Sequence, residues 1–327
     1  NAVFHIGFGK TGTSSIQASL CQNEELFSEN QAYKYLVVSE EGEILSNEKV
    51  RYLSGKNGLG YCSSTPNFAD LKNLREIGKQ VEEYNRRGIT PVFSQEDWAR
   101  RAGDFTANNV FREMGITVDV VAYVRPQVEW MNSGWWQWFA WNSQFKAVQD
   151  VTSAWGTHFI SWAAQLCNWE KIQNVNKVDV RLHSKDVVTD FFDKYLKVSS
   201  YKINKQRSNV SLPPILVKLL LNFSEVRTEH SAHVDEKLSK AFPGVFSNPW
   251  VITREYAEFL LKSLEADNKS LLRFISAELQ EEMLKDDRWW SMTSYLNKCS
   301  NVTTDFKLSE EEKDLLLKNM LDYIISN

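Results

Sequence analysis

The chain has 327 residues, with 38 Lys+Arg against 42 Asp+Glu and a formal net charge of −4. A hydrophobic fraction of 43% beside 24% charged residues excludes a disordered or fibrous chain, and the slight acidity excludes a general nucleic-acid binder, which carries a basic surplus. Tryptophan is the deviation to explain: there are 12, beside 18 Phe and 11 Tyr.

In chain order, residues 3–6 form an apolar run that ends at Gly7 and predicts a strand, followed by a Gly/Thr/Ser loop and a helix over 15–20. A second strand is expected at 35–39. Residues 40–66 hold Gly, Ser, Asn and a Pro with little periodicity and predict a long irregular excursion. Leu71, Leu74, Ile77 and Val81 fall at three- and four-residue spacing, so a helix is expected over 71–87, closed by Gly88. A strand at 90–94, a short helix at 110–114 and a nearly continuous apolar strand at 118–124 follow, the last of the kind buried on both faces. Pro126 suits a helix start, and the aromatic run 130–141 reads as one helix. One more strand is expected at 178–182. Beyond about residue 212 the spacing turns helical, over 216–221, 256–264, 271–279 and 310–325, with Glu310, Glu311 and Glu312 at the positive end of the last helix.

Strands alternating with helices over 1–125 predict an α/β fold, a P-loop-like parallel sheet flanked by helices with a mainly helical C-terminal part. A single domain over 1–327 is expected, its α/β core at about 1–211 and its helical part at about 212–327, because no Pro/Gly/Ser-rich linker divides them. No run reaches the roughly 18 to 20 apolar residues of a membrane span. Cys21, Cys62, Cys167 and Cys299 are far apart in sequence, without CxxC or a His in ligand spacing, which predicts reduced thiols and no metal site. Four Asn-x-Ser/Thr triplets (Asn209, Asn222, Asn268, Asn301) support a secretory route only weakly. The expected location is the cytoplasm, ahead of the Golgi lumen.

The informative segment is the run from Phe4 to Ser15, FHIGFGKTGTSS. A loop this rich in Gly, Thr and Ser between a strand and a helix leaves backbone N–H groups to surround an anion, and the helix N-terminus adds partial positive charge. Three chemistries compete. Gly7-x-Gly9-x-x-Gly12 satisfies the dinucleotide pattern, but the acidic residue expected about 20 positions on is only loosely matched by Glu40. A nucleoside-triphosphate P-loop has the right Gly7 to Gly12 separation, yet Thr13 stands where its lysine belongs. The third fits best. Lys10 in mid-loop, followed by Thr11-Gly12-Thr13-Ser14, resembles the 5′-phosphosulfate loop of sulfotransferases that use 3′-phosphoadenosine 5′-phosphosulfate (PAPS), and His5-Ile6-Gly7 with Ile16-Gln17 extends the match toward bacterial and carbohydrate-modifying members. The resemblance implies that Lys10 contacts the bridging and sulfuryl oxygens while Gly9, Thr11, Gly12, Thr13 and Ser14 hold the 5′-phosphate. A fixed ammonium with several N–H donors is what the charge developing on the leaving oxygen calls for. A plain glycine-rich turn with a surface lysine is the bland alternative.

The same resemblance implies a 3′-phosphate site made by an Arg at the end of a buried strand and a Ser eight residues later. Arg125 ends the 118–124 strand and Ser133 lies eight residues on; a guanidinium fork and a hydroxyl both suit phosphate. A third and weaker match is Asn209 in Asn209-Val210-Ser211-Leu212, similar to an Asn-x-Ser-Leu segment that closes near the nucleotide in bacterial members. The Gly-rich closing motif of steroid and phenol sulfotransferases is not visible, which points to the carbohydrate-type branch. The resemblance covers residues 2–280, strongest at 3–20 and 118–137.

Sulfuryl transfer to a hydroxyl needs in-line positioning and a base, and no metal. Glu96, in Ser94-Gln95-Glu96 after a strand's carboxyl end, is the candidate base; the alternative for Glu96 or Asp97 is a helix cap. His5 competes, although a strand histidine is more often packed than catalytic. The acceptor expected is a carbohydrate or another small hydroxyl compound, with part of the set Trp130, Trp135, Trp136, Trp138, Phe139 and Trp141 lining its cleft and Trp98, Trp289 and Trp290 as further candidates. A P-loop kinase and a non-catalytic nucleotide-binding module are the rivals.

Overall fold

A computed structural model describes the chain except residues 24, 57–59, 185, 199, 204–211, 224, 228–232, 240–241, 243–247, 304–305 and 327, and except the side chains of 233, 236, 239 and 326. The chain divides into two compact units: Asn1–Arg125 with Phe159–Ser208 and Ala266–Lys285, and Pro126–His158 with Asn209–Glu265 and Asp286–Asn327.

The first unit is built on a sheet. Its strands in chain order are β1 (Ala2–Ile6), β2 (Leu26–Phe27), β3 (Ala32–Tyr35), β6 (Ile89–Gln95), β7 (Val118–Val124) and β8 (Val175–Leu182), while β4 (Val37–Val38) and β5 (Ile44–Leu45) form a separate antiparallel pair. The spatial order is β2-β3-β6-β1-β7-β8, with every pairing parallel except β2 with β3. Helices line it, so the expected α/β architecture with a largely parallel sheet is what the chain adopts.

Period-two alternation explains why β1 is buried throughout. Phe4 and its neighbour Phe93 face one side, where rings of Phe68, Trp98, Phe105, Phe111 and Trp169 form a continuous aromatic layer at centroid separations of 4.8 to 6.4 Å. Val3, Val92, Val121 and Tyr123 face the other, against Ile16 and Leu20 of the helix Thr13–Gln22 and against Phe191 and Phe192. Burying a large apolar side chain contributes roughly 1.5–3 kcal/mol, so these two layers dominate the unit's stability.

Several boundaries differ from the sequence expectation. The first helix starts at Thr13, two residues early, because Gly12 takes the capping position. The 40–66 segment is not irregular throughout: it contains β5 and a helix, Asn47–Lys56, which buries only Val50 and Ser54 and so leaves no periodic stripe to read. The helix expected over 71–87 is Leu74–Arg86, preceded by a 3-10 turn at Phe68–Asp70. The expected helix 271–279 is broken, with Arg254–Leu271 ending in a 3-10 turn, Leu272–Phe274, before Ala277–Lys285 begins. There Gln280 Nε2 donates to the carbonyls of Leu272 and Ile275 at 3.0 and 2.9 Å, replacing donors the helix no longer supplies.

The second unit is helical. Its aromatic run is not one helix: Gln127–Gln137 stops at Trp138 (φ −129°, ψ −49°), and a 3-10 turn, Phe139–Trp141, follows. Gly134 is small because the rings of Trp130 and Trp138, 5.9 Å apart, close over it. Trp130, Trp135, Trp136, Phe139 and Trp141 are buried, with Trp136 Nε1 donating to the Pro249 carbonyl and Trp141 Nε1 to the Trp136 carbonyl, both at 2.7 Å. These residues are core, as are Trp98 and Trp289; of the expected cleft residues, only Trp138 and Trp290 are half-buried. No helix among the described residues is long and apolar enough to cross a membrane.

Candidate functional site

Parallel strands place their carboxyl ends on one edge. Three segments singled out from the sequence follow such ends: the glycine loop after β1, Glu96 after β6 and Arg125 after β7. β1 lies between β6 and β7, so the chain leaves it toward one side of the sheet and later returns on the other; ligand crevices of open α/β sheets open at such reversals.

The loop is held in an unusual backbone path. Lys10 has φ 64° and Gly12 φ 92°, both left-handed, a conformation costing roughly 1–2 kcal/mol for a residue with a Cβ. A Cβ on Gly7 would stand 2.2 Å from Thr13 Oγ1, and one on Gly12 would stand 2.4 Å from Val187 Cγ2. Gly7 is therefore required by close approach, and Gly12 by close approach and torsion together. Thr11 Oγ1 donates to the Phe8 carbonyl at 2.5 Å and locks the turn. At the start of the Thr13–Gln22 helix the cap residue is Gly12, which has no side chain to bond the N-terminus, and no acidic residue occupies the first turn. The Thr13 hydroxyl is buried and finds no hydrogen-bond partner among the described residues. A helix start capped by a glycine, an orphaned buried hydroxyl and a mid-loop lysine together fit a bound oxyanion.

Beneath the loop lies a buried polar group. His5 Nδ1 is 2.8 Å from Ser94 Oγ, which also accepts from Gln17 Nε2 at 3.0 Å. This follows from the register, in which His5 and Ser94 are partners across β1 and β6. Burial lowers the His5 pKa to about 3, so the ring stays neutral and is a poor proton acceptor. His5 ties the loop's strand to β6 and to the following helix.

Glu96 opens a 3-10 turn, Glu96–Arg100, that Gln95 caps: Gln95 Oε1 accepts from the Glu96 and Asp97 N–H groups at 2.6 and 3.4 Å. The helix cap is thus Gln95, which leaves the Glu96 carboxyl for other work. Burial and, less strongly, the neighbouring Asp97 push the Glu96 carboxyl up, while Lys10 and Arg100 oppose them. Lys10 and Glu96, 86 positions apart in sequence, follow neighbouring strand ends, and the lysine's charge acts on the carboxyl's ionisation. A carboxyl raised above its ordinary range is a stronger base than an exposed one, which suits proton acceptance.

Arg125 is half-buried at the end of β7. Its carbonyl accepts from Trp162 Nε1 at 2.9 Å, and the fully buried Trp162 ring packs on Phe8 of the loop at 4.6 Å. One tryptophan thus sets both the loop and the arginine. Ser133 sits half-buried on Gln127–Gln137 in the second unit. Asn209 lies outside the described residues.

Sequence reasoning missed Trp162, Val187, Gln95 and Tyr61. Burial raises the Tyr61 phenol, with the Ser14 side chain opposing and the charges of Glu96 and Asp97 adding to it. No motif marks it, since it stands in the Gly/Ser/Asn stretch. The cysteines, distant in sequence, include one adjacent pair: the Cys62 N–H donates to Cys21 Sγ at 3.3 Å. Burial raises both thiols, that of Cys21 to about 12, which makes them unreactive. No group of three His, Cys, Asp or Glu that could hold a metal occurs among the described residues.

No protein-family model matches the chain, and no curated protein matches it. The crystal structure of a sulfotransferase from Alicyclobacillus acidocaldarius aligns over 85% of this chain and 98% of that one, with 12% identity and a TM-score of 0.39. A likeness of that degree assigns no activity to this chain.

Proposed function

We propose that the protein is a PAPS-dependent sulfotransferase acting on a hydroxyl of a carbohydrate or another small compound. The observation that carries this is the loop's geometry: left-handed Lys10 and Gly12, a helix start capped by a glycine and the buried Thr13 hydroxyl, after the strand beside the one that Glu96 follows. The loop N–H groups of Gly9 to Ser14 and the Thr13 hydroxyl bind the 5′-phosphate, and Arg125 binds the 3′-phosphate; Ser133 and Asn209 join them on sequence spacing. The donor supplies a sulfuryl group on a good leaving phosphate. In the transfer the bond from sulfur to the bridging oxygen breaks, a bond from sulfur to the acceptor oxygen forms, and the acceptor's proton passes to Glu96. Lys10 neutralises the charge left on the bridging oxygen.

The test is thermal. PAP, the desulfated product, is expected to raise the melting temperature equally with EDTA and with magnesium. Stabilisation by ATP with magnesium alone overturns the proposal in favour of a kinase. Labelled PAPS screened against sugars then finds the acceptor. Lys10→Ala is expected to abolish transfer while PAP still binds; retention of PAP binding without any transfer by the native chain points to a pure binding module.

A further inference from the structure

Resting on the donor site just proposed, we infer that Asp267 is a positioning residue for the 3′-phosphate ligand Arg125, acting through the helix Trp162–Glu170 and its first residue, Trp162. That helix starts after Ser161, whose side chain makes no capping bond. Its first N–H groups need an acceptor from elsewhere. Asp267, 104 positions after Ala163 in the chain, supplies it: Oδ2 accepts from the Ala163 N–H at 3.1 Å and Oδ1 from the Ala164 N–H at 3.0 Å. A carboxylate that spans two N–H groups at the positive end of a helix fixes the place and direction of the first turn.

That turn carries the fully buried Trp162. Its Nε1 donates to the Arg125 carbonyl at 2.9 Å, and its ring lies 4.6 Å from that of Phe8 in the glycine loop. An indole has a single N–H on a rigid frame, so its donor goes where the helix turn aims it. The rest of the helix is braced as well. Seven residues on and on the same face, the buried Trp169 donates from Nε1 to the Ala99 carbonyl of the Glu96–Arg100 turn at 3.1 Å. Near the far end Arg273 pairs with Glu170 and donates to Cys167 Sγ at 3.2 Å. Asp267 and Arg273 thus grip one helix near its two ends. The Arg273 pair is exposed and contributes little, whereas Asp267 is half-buried and bonds the turn that holds Trp162. Asp267 is the grip that sets the end of β7, where Arg125 stands.

Comparing PAP with adenosine 5′-phosphate, which lacks the 3′-phosphate, tests this on the full chain. The ratio of their dissociation constants reads what the 3′-phosphate contacts contribute. Asp267→Asn keeps one acceptor and turns an amide donor toward the second N–H. It is expected to lower the preference for PAP roughly three- to tenfold, and to lower it no further once Arg125 is alanine. Trp162→Phe breaks the path one step later and leaves the cap intact, so a similar fall is expected, without adding to that of Asp267→Asn. A merely structural cap weakens both nucleotides alike. An unchanged ratio in Asp267→Asn, or a full-sized effect that persists in Arg125→Ala, therefore overturns the inference. An unchanged ratio in Trp162→Phe overturns it too, even where Asp267→Asn fails to fold, because the path runs through that indole. If the native chain binds PAP and adenosine 5′-phosphate equally, there is no 3′-phosphate site for Asp267 to set, and the inference falls while the loop stands. If it binds neither, the donor site itself is wrong.

Discussion

Ionising a carboxyl whose folded-state pKa is raised costs stability, and Glu96 is such a group. Its folded state holds the proton more tightly than the unfolded state does. The associated stability is complete below the ordinary carboxylate range and is lost as pH rises through the raised value. Glu96→Gln is therefore expected to raise the melting temperature near neutral pH, with the gain shrinking on acidification, while turnover falls by about 10²–10⁴-fold. Unchanged turnover removes Glu96 as base. His5 has the opposite sign: with its pKa lowered from 6.5 to about 3, the unfolded chain binds the extra proton, so stability falls as pH drops through that window. His5→Gln is expected to flatten the acid limb of a plot of melting temperature against pH between those values.

At the scale of elements, the legible parts are those where one residue type in one place has a local cause. The glycine loop could be read because Gly7 answers to a close contact, and Gly12 to a close contact and a left-handed torsion, that a larger residue does not satisfy. The 118–124 strand could be read to the residue because near-total burial leaves an unbroken apolar run. Trp162 could not, because its partners Arg125 and Phe8 come from other elements and leave no spacing behind. The aromatic run misled because Trp138 leaves helical torsion while keeping its ring on Trp130. Two predictions belong here. Trp162→Phe keeps a ring against Phe8 but takes the indole donor from the part-buried Arg125 carbonyl, and a loss of about 1–3 kcal/mol in denaturant unfolding is expected. Gly12→Ala is expected to destabilise the chain, and Val187→Ala to restore only part, since it clears the contact and leaves the φ of 92°.

For the molecule as a whole, the excess of tryptophan has divided into separate uses. Trp98 and Trp169 fill the aromatic layer of the first unit, Trp162 braces its loop, and Trp130, Trp135, Trp136 and Trp141 fill the second unit. PAP at about a hundred times its dissociation constant is expected to add roughly 2.7 kcal/mol to unfolding, a shift readable by calorimetry and lost in Lys10→Ala only to the extent that Lys10 binds the product.

The position of β1 in the middle of the sheet bears on biogenesis. Its partners are Val92 to Gln95 on one side and Val118 to Val121 on the other. A ribosome therefore releases this apolar strand long before anything can pair with it, and the loop it carries has no mate for Lys10 until Glu96 emerges. During that interval the strand is an open template for pairing with other chains. Losses on refolding are expected to concentrate there, and PAP, which needs the finished edge, is expected to rescue yield only after the sheet has closed. Rescue from the first moments of refolding would mean that the loop captures its ligand earlier than the strand order allows.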